Sequence, residues 1–220
     1  MPLSEKQVRS FNEANRRFNI WVGAVRSGKT YSSILKFVDF LKNGPQGDCM
    51  IVGVNRSTIQ RNVLNQLYAF LGFPPPPAKS TETKLYGRNI YFVGAHDESA
   101  VRAIQGSTLA CAYVDECCSI PEPFWRMLIS RLSIQGAQLL ATCNPEGPSH
   151  FIKKQYLDRM GDLDLIFWNF TLDDNPALGE AYKENLKKEY QGSHWYKRLI
   201  LGQWAASTGA VFDGFDDDNL

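Results

Sequence analysis

The chain has 220 residues, of which 44% are hydrophobic, and this is enough for one α/β domain with a sizeable core. A formal net charge of +1 excludes a global basic field, although a local nucleic-acid-binding patch is compatible with a neutral total. No apolar run is long enough to span a membrane, and the N-terminus, MPLSEKQVRS, lacks the apolar core of a signal peptide.

The cysteines indicate a reducing compartment. None of them belongs to a C-x-x-C pair, and three lie in or beside apolar runs. This spacing predicts small buried residues, and not zinc ligands or a set of disulfides. The five residues are Cys49, Cys111, Cys117, Cys118 and Cys143.

The first strong signal is a phosphate-binding loop. Apolar residues 20–22 predict a strand before it, and apolar positions at helical spacing over residues 31–41 predict a helix after it. The stretch between them fits the pattern G-x-x-x-x-G-K-[ST], in which backbone N–H groups point at phosphate oxygens. Lys29 would bridge the β- and γ-phosphates, and the Thr30 hydroxyl would hold Mg²⁺. The loop consists of Gly23, Ala24, Val25, Arg26, Ser27, Gly28, Lys29 and Thr30.

Two residues outside the loop are further candidates for the same site. Residues 3–18 predict a short helix, and its Gln7 carries an amide that can pair with adenine. The spacing alone favours a solvated side chain for Gln7. Arg102 lies on a surface element upstream of a buried strand, where a solvated arginine is the commoner case.

Strand and helix signals alternate along the rest of the chain. Strands are predicted over residues 49–54, 84–94, 109–114, 138–143 and 163–170. Ser57 is the predicted cap of a helix that Gly72 ends. Further helices are predicted over residues 149–160, 178–190 and 194–204.

Polar residues follow two of the predicted buried strands. Asp115 and Glu116 end the strand over residues 109–114, where two adjacent carboxylates would be costly to hold without a use. Downstream of a phosphate loop, Asp115 is expected to hold Mg²⁺ through its water shell, and Glu116 to orient and polarise a water towards the γ-phosphate. Asn144 follows the strand over residues 138–143 and either senses the γ-phosphate or begins a turn, because Asn-Pro is a turn signal.

These signals predict an α/β fold of the P-loop NTPase class, of the additional-strand catalytic-glutamate type. We expect a mostly parallel central sheet flanked by helices, with a small C-terminal lid or linker subdomain. The predicted divisions are a core over residues 1–170, the lid over residues 171–210 and an acidic tail over residues 211–220.

Several segments, taken in order, resemble the large terminase subunit of tailed bacteriophages, the motor ATPase that packages DNA. The segments are LSEKQ, GAVRSGKT, YVDE, TCNP, TLDDNPAL, LGQW and GAVFDGF. Each is modest alone, but their order and spacing are specific, and the resemblance covers nearly the whole chain.

The resemblance implies a role for each matching residue of the nucleotide site. Lys29 and Thr30 would bind phosphate and Mg²⁺, with Asp115 as the Mg²⁺ residue. Glu116 would be the catalytic carboxylate. Gln7 corresponds to an adenine-contacting glutamine of the family.

The resemblance also implies roles in coupling and in charge stabilisation. Thr142 and Asn144 resemble the motif that links hydrolysis to DNA movement. Arg26 lies where the family often has an arginine implicated in hydrolysis. Arg102 is a weaker candidate for an arginine finger given to a neighbouring subunit, which would stabilise charge on the transferring phosphoryl group.

Cofactors and partners follow from the same resemblance. ATP and Mg²⁺ are the implied cofactors, and double-stranded DNA, a portal protein and a small terminase subunit are the implied partners. We expect a homo-oligomeric ring on the procapsid, formed from a chain that is monomeric in isolation, in the host cell cytoplasm and without a membrane. Large terminases normally carry a C-terminal nuclease domain. This chain ends soon after GAVFDGF, so it is expected to be an ATPase half without nuclease activity.

The leading prediction is therefore an ATP-hydrolysing motor that drives double-stranded viral DNA into a procapsid. A related translocase or helicase would share the phosphate loop, the acidic pair and the terminal asparagine, and unwinding of a tailed duplex would distinguish it. A small-molecule kinase would need a second substrate pocket, and Glu116 argues against it because that residue favours attack by water. A nucleotide-binding module without turnover would be unaffected by Glu116→Ala.

Overall fold

A seven-stranded sheet organises the protein, whose computed structural model describes residues 3–206. The strands are β1 Phe18–Gly23, β2 Asp48–Gly53, β3 Glu82–Leu85, β4 Arg88–Gly94, β5 Leu109–Val114, β6 Gln138–Cys143 and β7 Leu165–Phe170. Their order across the sheet is β3-β4-β2-β5-β6-β1-β7. All neighbours are parallel except β3 and β4, which form an antiparallel hairpin at one edge.

Helices and short helical turns connect the strands. The α-helices are α1 Glu5–Glu13, α2 Lys29–Asn43, α3 Arg56–Thr58, α4 Asn65–Leu71, α5 Val101–Ile104, α6 Glu122–Arg131, α7 Phe151–Gln155 and α8 Glu180–Tyr190. Two segments are π-helical, Ile59–Leu64 and Tyr196–Ile200. Short 3₁₀ turns cover Glu98–Ala100, Cys117–Ser119, Leu157–Arg159 and Leu172–Asp174. None of the helices in residues 3–206 combines the length and apolar character needed to cross a membrane.

The central strands are buried on both faces, which is why they are continuous apolar runs in the sequence. Side chains alternate between two cores along each strand. Ile20 and Val22 of β1 pack in the core that contains Phe124 of α6. Trp21, which points the other way, packs in the core that contains Phe37 of α2. The sheet is therefore a layer between two sets of helices.

The strand order confirms the predicted P-loop fold with an additional strand. β6 lies between β1 and β5, with Val22 opposite Cys143 and Val114 opposite Ala141. Parallel strands bring their carboxyl ends to one edge of the sheet. The residues that follow β1, β5 and β6 therefore meet at that edge, where open α/β sheets bind ligands.

Local structure departs from the sequence-based prediction in several places, and the helix predicted over residues 194–204 is the π-helical segment Tyr196–Ile200. Asn55, and not Ser57, caps the helix after β2, because the Asn55 side chain accepts the Thr58 N–H at 2.9 Å. The strand predicted over residues 84–94 is a hairpin, whose turn residues Tyr86 and Gly87 have φ values of 51° and 80°. Positive φ at both central positions is the geometry that matches the twist of a two-residue hairpin. The helix predicted over residues 149–160 is α7 followed by a 3₁₀ turn.

A third, smaller apolar cluster joins residues 172–201 to the phosphate loop. Ala24 of the loop is buried against Leu172 and Ile200, with Leu178, Leu186, Tyr190, Tyr196 and Leu201 packed around them. The division at residue 170 stays a prediction. The acidic tail and the GAVFDGF segment lie outside the described residues.

Arg88 closes the far end of α2. Its side chain is 2% exposed. The guanidinium donates to the carbonyl oxygens of Leu41 at 2.9 Å and Gly44 at 2.6 Å, and also to that of Pro45. These are C-terminal carbonyls that the helix cannot satisfy itself. One buried side chain thus fixes the helix that begins at the phosphate loop.

We predict that Arg88→Ala lowers the free energy of unfolding by about 3 kcal/mol, because it leaves one buried and two partly buried carbonyl groups without donors and opens a cavity. Urea denaturation measures the change. Arg126→Ala is the matched control, since Arg126 is 57% exposed and pairs with Glu122 on the same helix. The control should cost less than about 1 kcal/mol. Equal losses in the two variants would contradict this role for Arg88.

Candidate active site

The phosphate loop has a backbone that only glycine fits at two positions. Gly23 has φ 156°, and a Cβ there would lie 2.2 Å from the Phe170 carbonyl oxygen. Gly28 has φ 86°, and a Cβ there would lie 2.3 Å from Nε2 of Gln7. α2 begins directly after Gly28 without a side-chain cap. Its first N–H groups and the positive end of its dipole therefore face the loop, which suits an anion.

Lys29 is a buried cation at the start of α2. It is 7% exposed, and its Nζ donates to the Ala24 carbonyl at 2.9 Å and to Oδ1 of Asn144 at 2.7 Å. Burial lowers the pKa of Lys29 to about 8, and the charges of Cys143, Asp115 and Glu116 act against that shift. The ammonium group is thus held at the phosphate loop by neutral oxygens, which a phosphate could replace.

Asp115 is 4% exposed, and both of its carboxylate oxygens accept hydrogen bonds. Oδ1 accepts from the Thr142 hydroxyl at 2.9 Å, and Oδ2 accepts from Nδ2 of Asn62 at 3.0 Å. The Thr142 oxygen in turn accepts the Glu116 N–H at 3.1 Å. Thr142, at the end of β6, therefore connects the two acidic residues that follow β5.

Glu116 is half-buried and has a left-handed backbone, with φ 53°. This conformation costs roughly 1–2 kcal/mol for a residue with a Cβ, and such strain concentrates at functional sites. Burial raises the pKa of Glu116, the Asp115 charge adds to the rise, and the charges of Lys29 and Arg61 oppose it. Among the described residues, no side chain donates a hydrogen bond to its carboxylate, which leaves that group available to a water or ligand.

Gln7 lies in the wall of a cavity of about 340 Å³ beside the loop, so the solvated interpretation of this residue is wrong. It is 4% exposed. Its Oε1 accepts the Ser4 N–H at 2.8 Å, and its Nε2 donates to the Gly28 carbonyl at 3.3 Å. The same amide therefore closes the first turn of α1 and contacts the loop. The cavity is also lined by residues 26–30, Tyr31, Gln66 and residues 175–178.

The segment after β7 contacts the loop at Arg26. The Arg26 carbonyl accepts a hydrogen bond from Nδ2 of Asn175 at 2.6 Å, and its guanidinium lies 5.6 Å from the ring centroid of Tyr182 on α8. Ser27, next in the chain, has a buried hydroxyl that finds no hydrogen-bond partner within residues 3–206. A buried, unpaired hydroxyl in the loop is a polar group that a ligand could satisfy.

Arg102 is the one sequence-predicted candidate that the structure does not bring to this cluster. It is exposed on α5, an element that packs against α6. Its role as a finger stays a prediction.

Asn62 and Arg61 belong to the site and were missed from the sequence. They lie next to each other on the π-helical segment, and Arg61 Nε donates to Oδ1 of Asn62 at 3.2 Å. A π-helical turn shifts the side chains that follow it relative to an α-helix and is frequent at functional sites. No sequence motif marks a π-helical turn. The one signal for Asn62 and Arg61 was that their helix follows β2, which lies beside β5 in the sheet.

The interposed β6, the phosphate loop and the acidic pair define the class, which is that of P-loop NTPases with an additional strand. The profile of the family described as "Terminase large subunit, T4likevirus-type, N-terminal" matches residues 20–216. The chain therefore belongs to the terminase large subunit family, of which it matches the N-terminal region. No curated protein matches the sequence.

Solved structures of phage terminases share the fold. The large terminase of a thermophilic bacteriophage (crystal form 2) superposes with a TM-score of 0.84 at 30% identity, over 99% of this chain and 57% of that chain. The same thermophilic-phage protein in complex with ADP superposes with a TM-score of 0.83 at 29% identity, over 98% of this chain and 57% of that chain. The Thermus phage P74-26 large terminase ATPase domain superposes with a TM-score of 0.63 at 15% identity, over 93% of this chain and 94% of that chain. The chain thus spans little more than half the length of the thermophilic-phage large terminase.

The lowered pKa of Lys29 predicts a pH dependence of nucleotide binding. Phosphate oxygens bind the protonated amine, so nucleotide affinity should be constant below the Lys29 pKa of about 8 and fall above it. The fall for one proton is up to about tenfold per pH unit. Titrations of a fluorescent nucleotide at several pH values measure it. Lys29→Met should bind weakly and lack this fall, whereas the same fall in Lys29→Met would assign it to another group.

Proposed function

We propose that the chain is the Mg²⁺-dependent ATP-hydrolysing motor domain that drives double-stranded viral DNA into a procapsid. The observation that carries the proposal is the meeting of Lys29, Asp115, Glu116 and Asn144 at one edge of the sheet, in a chain of the terminase large subunit family. The thermophilic-phage large terminase, which has been solved with ADP and with ATP-gamma-S, supports a nucleotide as the ligand.

The donor set fits a magnesium ion. Asp115 uses one hydrogen bond on each oxygen, and a carboxylate has further lone pairs to offer a cation or its water shell. Thr30 lies in the cavity wall at the start of α2. Thr30 and Asp115 would hold the ion, which would neutralise charge on the bound phosphates.

Each residue of the site would have a separate role in ATP hydrolysis. Lys29 would exchange the Asn144 oxygen for phosphate oxygens. The Asn144 side chain would then be free to contact the γ-phosphate and to respond to its loss. Glu116 would orient the attacking water and accept its proton. Thr142 touches Asp115 directly and also accepts the Glu116 N–H, so a shift of β6 would reach both acidic residues. Arg26 would stabilise charge on the transferring phosphoryl group, and Gln7 would contact adenine.

The wider assembly is also part of the proposal. We propose that double-stranded DNA, a portal protein and a small terminase subunit are partners of a homo-oligomeric ring on the procapsid, in the host cell cytoplasm. Arg102, exposed on α5, is the arginine proposed to reach a neighbouring subunit. Family membership supports these assignments.

We predict that Glu116→Gln lowers kcat for ATP hydrolysis by about 10²–10⁴-fold and does not weaken nucleotide binding, because it removes the proton acceptor and keeps the shape. Steady-state phosphate release with and without duplex DNA measures the rate. Glu122→Gln is the matched control, since Glu122 lies on the surface of α6 in a pair with Arg126 and should keep full activity.

Two results would contradict the proposal. Unchanged turnover in Glu116→Gln would remove the catalytic assignment. Separation of the strands of a tailed duplex by the wild-type chain would favour a helicase over a packaging motor.

We predict that Arg61→Ala moves the acid limb of the rate profile to higher pH. Arg61 lowers the pKa of Glu116, so its loss raises that pKa and Glu116 becomes protonated, and inactive as a base, at a higher pH. Because Arg61 is exposed, the shift should shrink as salt is added. Arg61→Lys keeps the charge and should keep the wild-type profile, whereas an identical shift in Arg61→Lys would rule out a charge effect.

A further inference from the structure

Three cysteines meet behind the acidic pair. The Sγ atoms of Cys117, Cys118 and Cys143 all lie within 4.8 Å of one another. None of the three is in a disulfide. Within residues 3–206, no other three His, Cys, Asp or Glu side chains bring their ligand atoms close enough to share one ion.

The fold creates this cluster from positions that are far apart in the sequence. Cys117 and Cys118 form the 3₁₀ turn that follows β5, and Cys143 is the last residue of β6. The two strands are parallel neighbours, with Val114 opposite Ala141. The absence of a C-x-x-C pair therefore did not exclude a metal site, because the third ligand comes from the next strand of the sheet.

We propose that Cys117, Cys118 and Cys143 bind a thiophilic cation with a filled d shell, of which Zn²⁺ and Cu⁺ are the biological examples. Soft sulfur ligands select such cations over Mg²⁺ and Ca²⁺. Metal–sulfur bonds of about 2.3 Å hold three sulfur atoms about 4 Å apart around a three-coordinate ion. The three Sγ atoms lie within 4.8 Å of one another, so small side-chain rotations would bring them to that spacing, and each thiol would release its proton to the buffer as it binds.

The cluster is largely closed to bulk water, and it has the Asp115 charge beside Cys117 and the Lys29 charge beside Cys143. Cys117 and Cys143 are fully buried, and Cys118 is 8% exposed. The Lys29 ammonium binds the side chain of Asn144, the residue after Cys143, so a positive charge lies close to the thiolates. His150 is not a fourth ligand, because its Nδ1 accepts the Ile152 N–H and its Nε2 pairs with the Cys118 carbonyl.

The other two cysteines provide an internal comparison. Cys49 and Cys111 face each other on β2 and β5, and both are fully buried. They are only a pair, and the described residues offer them no third ligand. Cys111→Ala is therefore a matched control, since it removes a buried thiol from the same sheet and leaves the cluster intact.

The test is a titration of the reduced chain with Cd²⁺, followed by thiolate-to-metal charge-transfer absorbance. The wild-type chain should saturate with one Cd²⁺, and saturation should raise its Tm by about 5 °C. Cys143→Ala and Cys117→Ala should each weaken binding by about 100-fold or more, while Cys111→Ala should bind as the wild type does. Wild-type affinity in Cys143→Ala would overturn the proposal.

A second measurement needs no variant, so it holds even if Cys143→Ala fails to fold. X-ray absorption at the cadmium edge of the wild-type complex counts the sulfur neighbours of the ion. Three sulfur ligands support the site, and fewer than three overturn it. Neither measurement depends on ATP hydrolysis, so the outcome is independent of the proposed motor function.

Discussion

The structure around the phosphate loop depends on the burial of one cation. Removing the Lys29 ammonium from water is costly, and the lowered pKa of the residue reflects that cost. Two oxygens offset it, from the Ala24 carbonyl and from Asn144. Asn144 reaches Lys29 only because β6 lies directly beside β1. The hydrogen bond that stabilises the buried ammonium therefore depends on the position of the additional strand.

The same strand also organises the acidic side of the site. Thr142 lies in β6, and Asn144 is the first residue after that strand. The Thr142 hydroxyl donates to Asp115 and accepts the Glu116 N–H. One strand end therefore contacts the lysine, the aspartate and the backbone of the strained glutamate. This strand end therefore connects Lys29 with both acidic residues through direct hydrogen bonds.

Much of the sheet and the centre of the site could be predicted from sequence, because both depend on local patterns. The loop spacing predicts Lys29, and an apolar run that ends in two acids predicts Asp115 and Glu116. Residues brought in by tertiary packing could not be predicted in this way. Asn62 depends on a π-helical turn, the burial of Gln7 on how α1 packs, and the cysteine cluster on strand order.

A crystal structure of the chain with ATP-gamma-S and Mg²⁺ would test the role of Lys29 most directly. We expect Lys29 Nζ to leave Asn144 and bind the β- and γ-phosphate oxygens, with the ion held by Thr30 and Asp115. Nucleotide bound elsewhere, with the bond between Lys29 and Asn144 intact, would contradict this role.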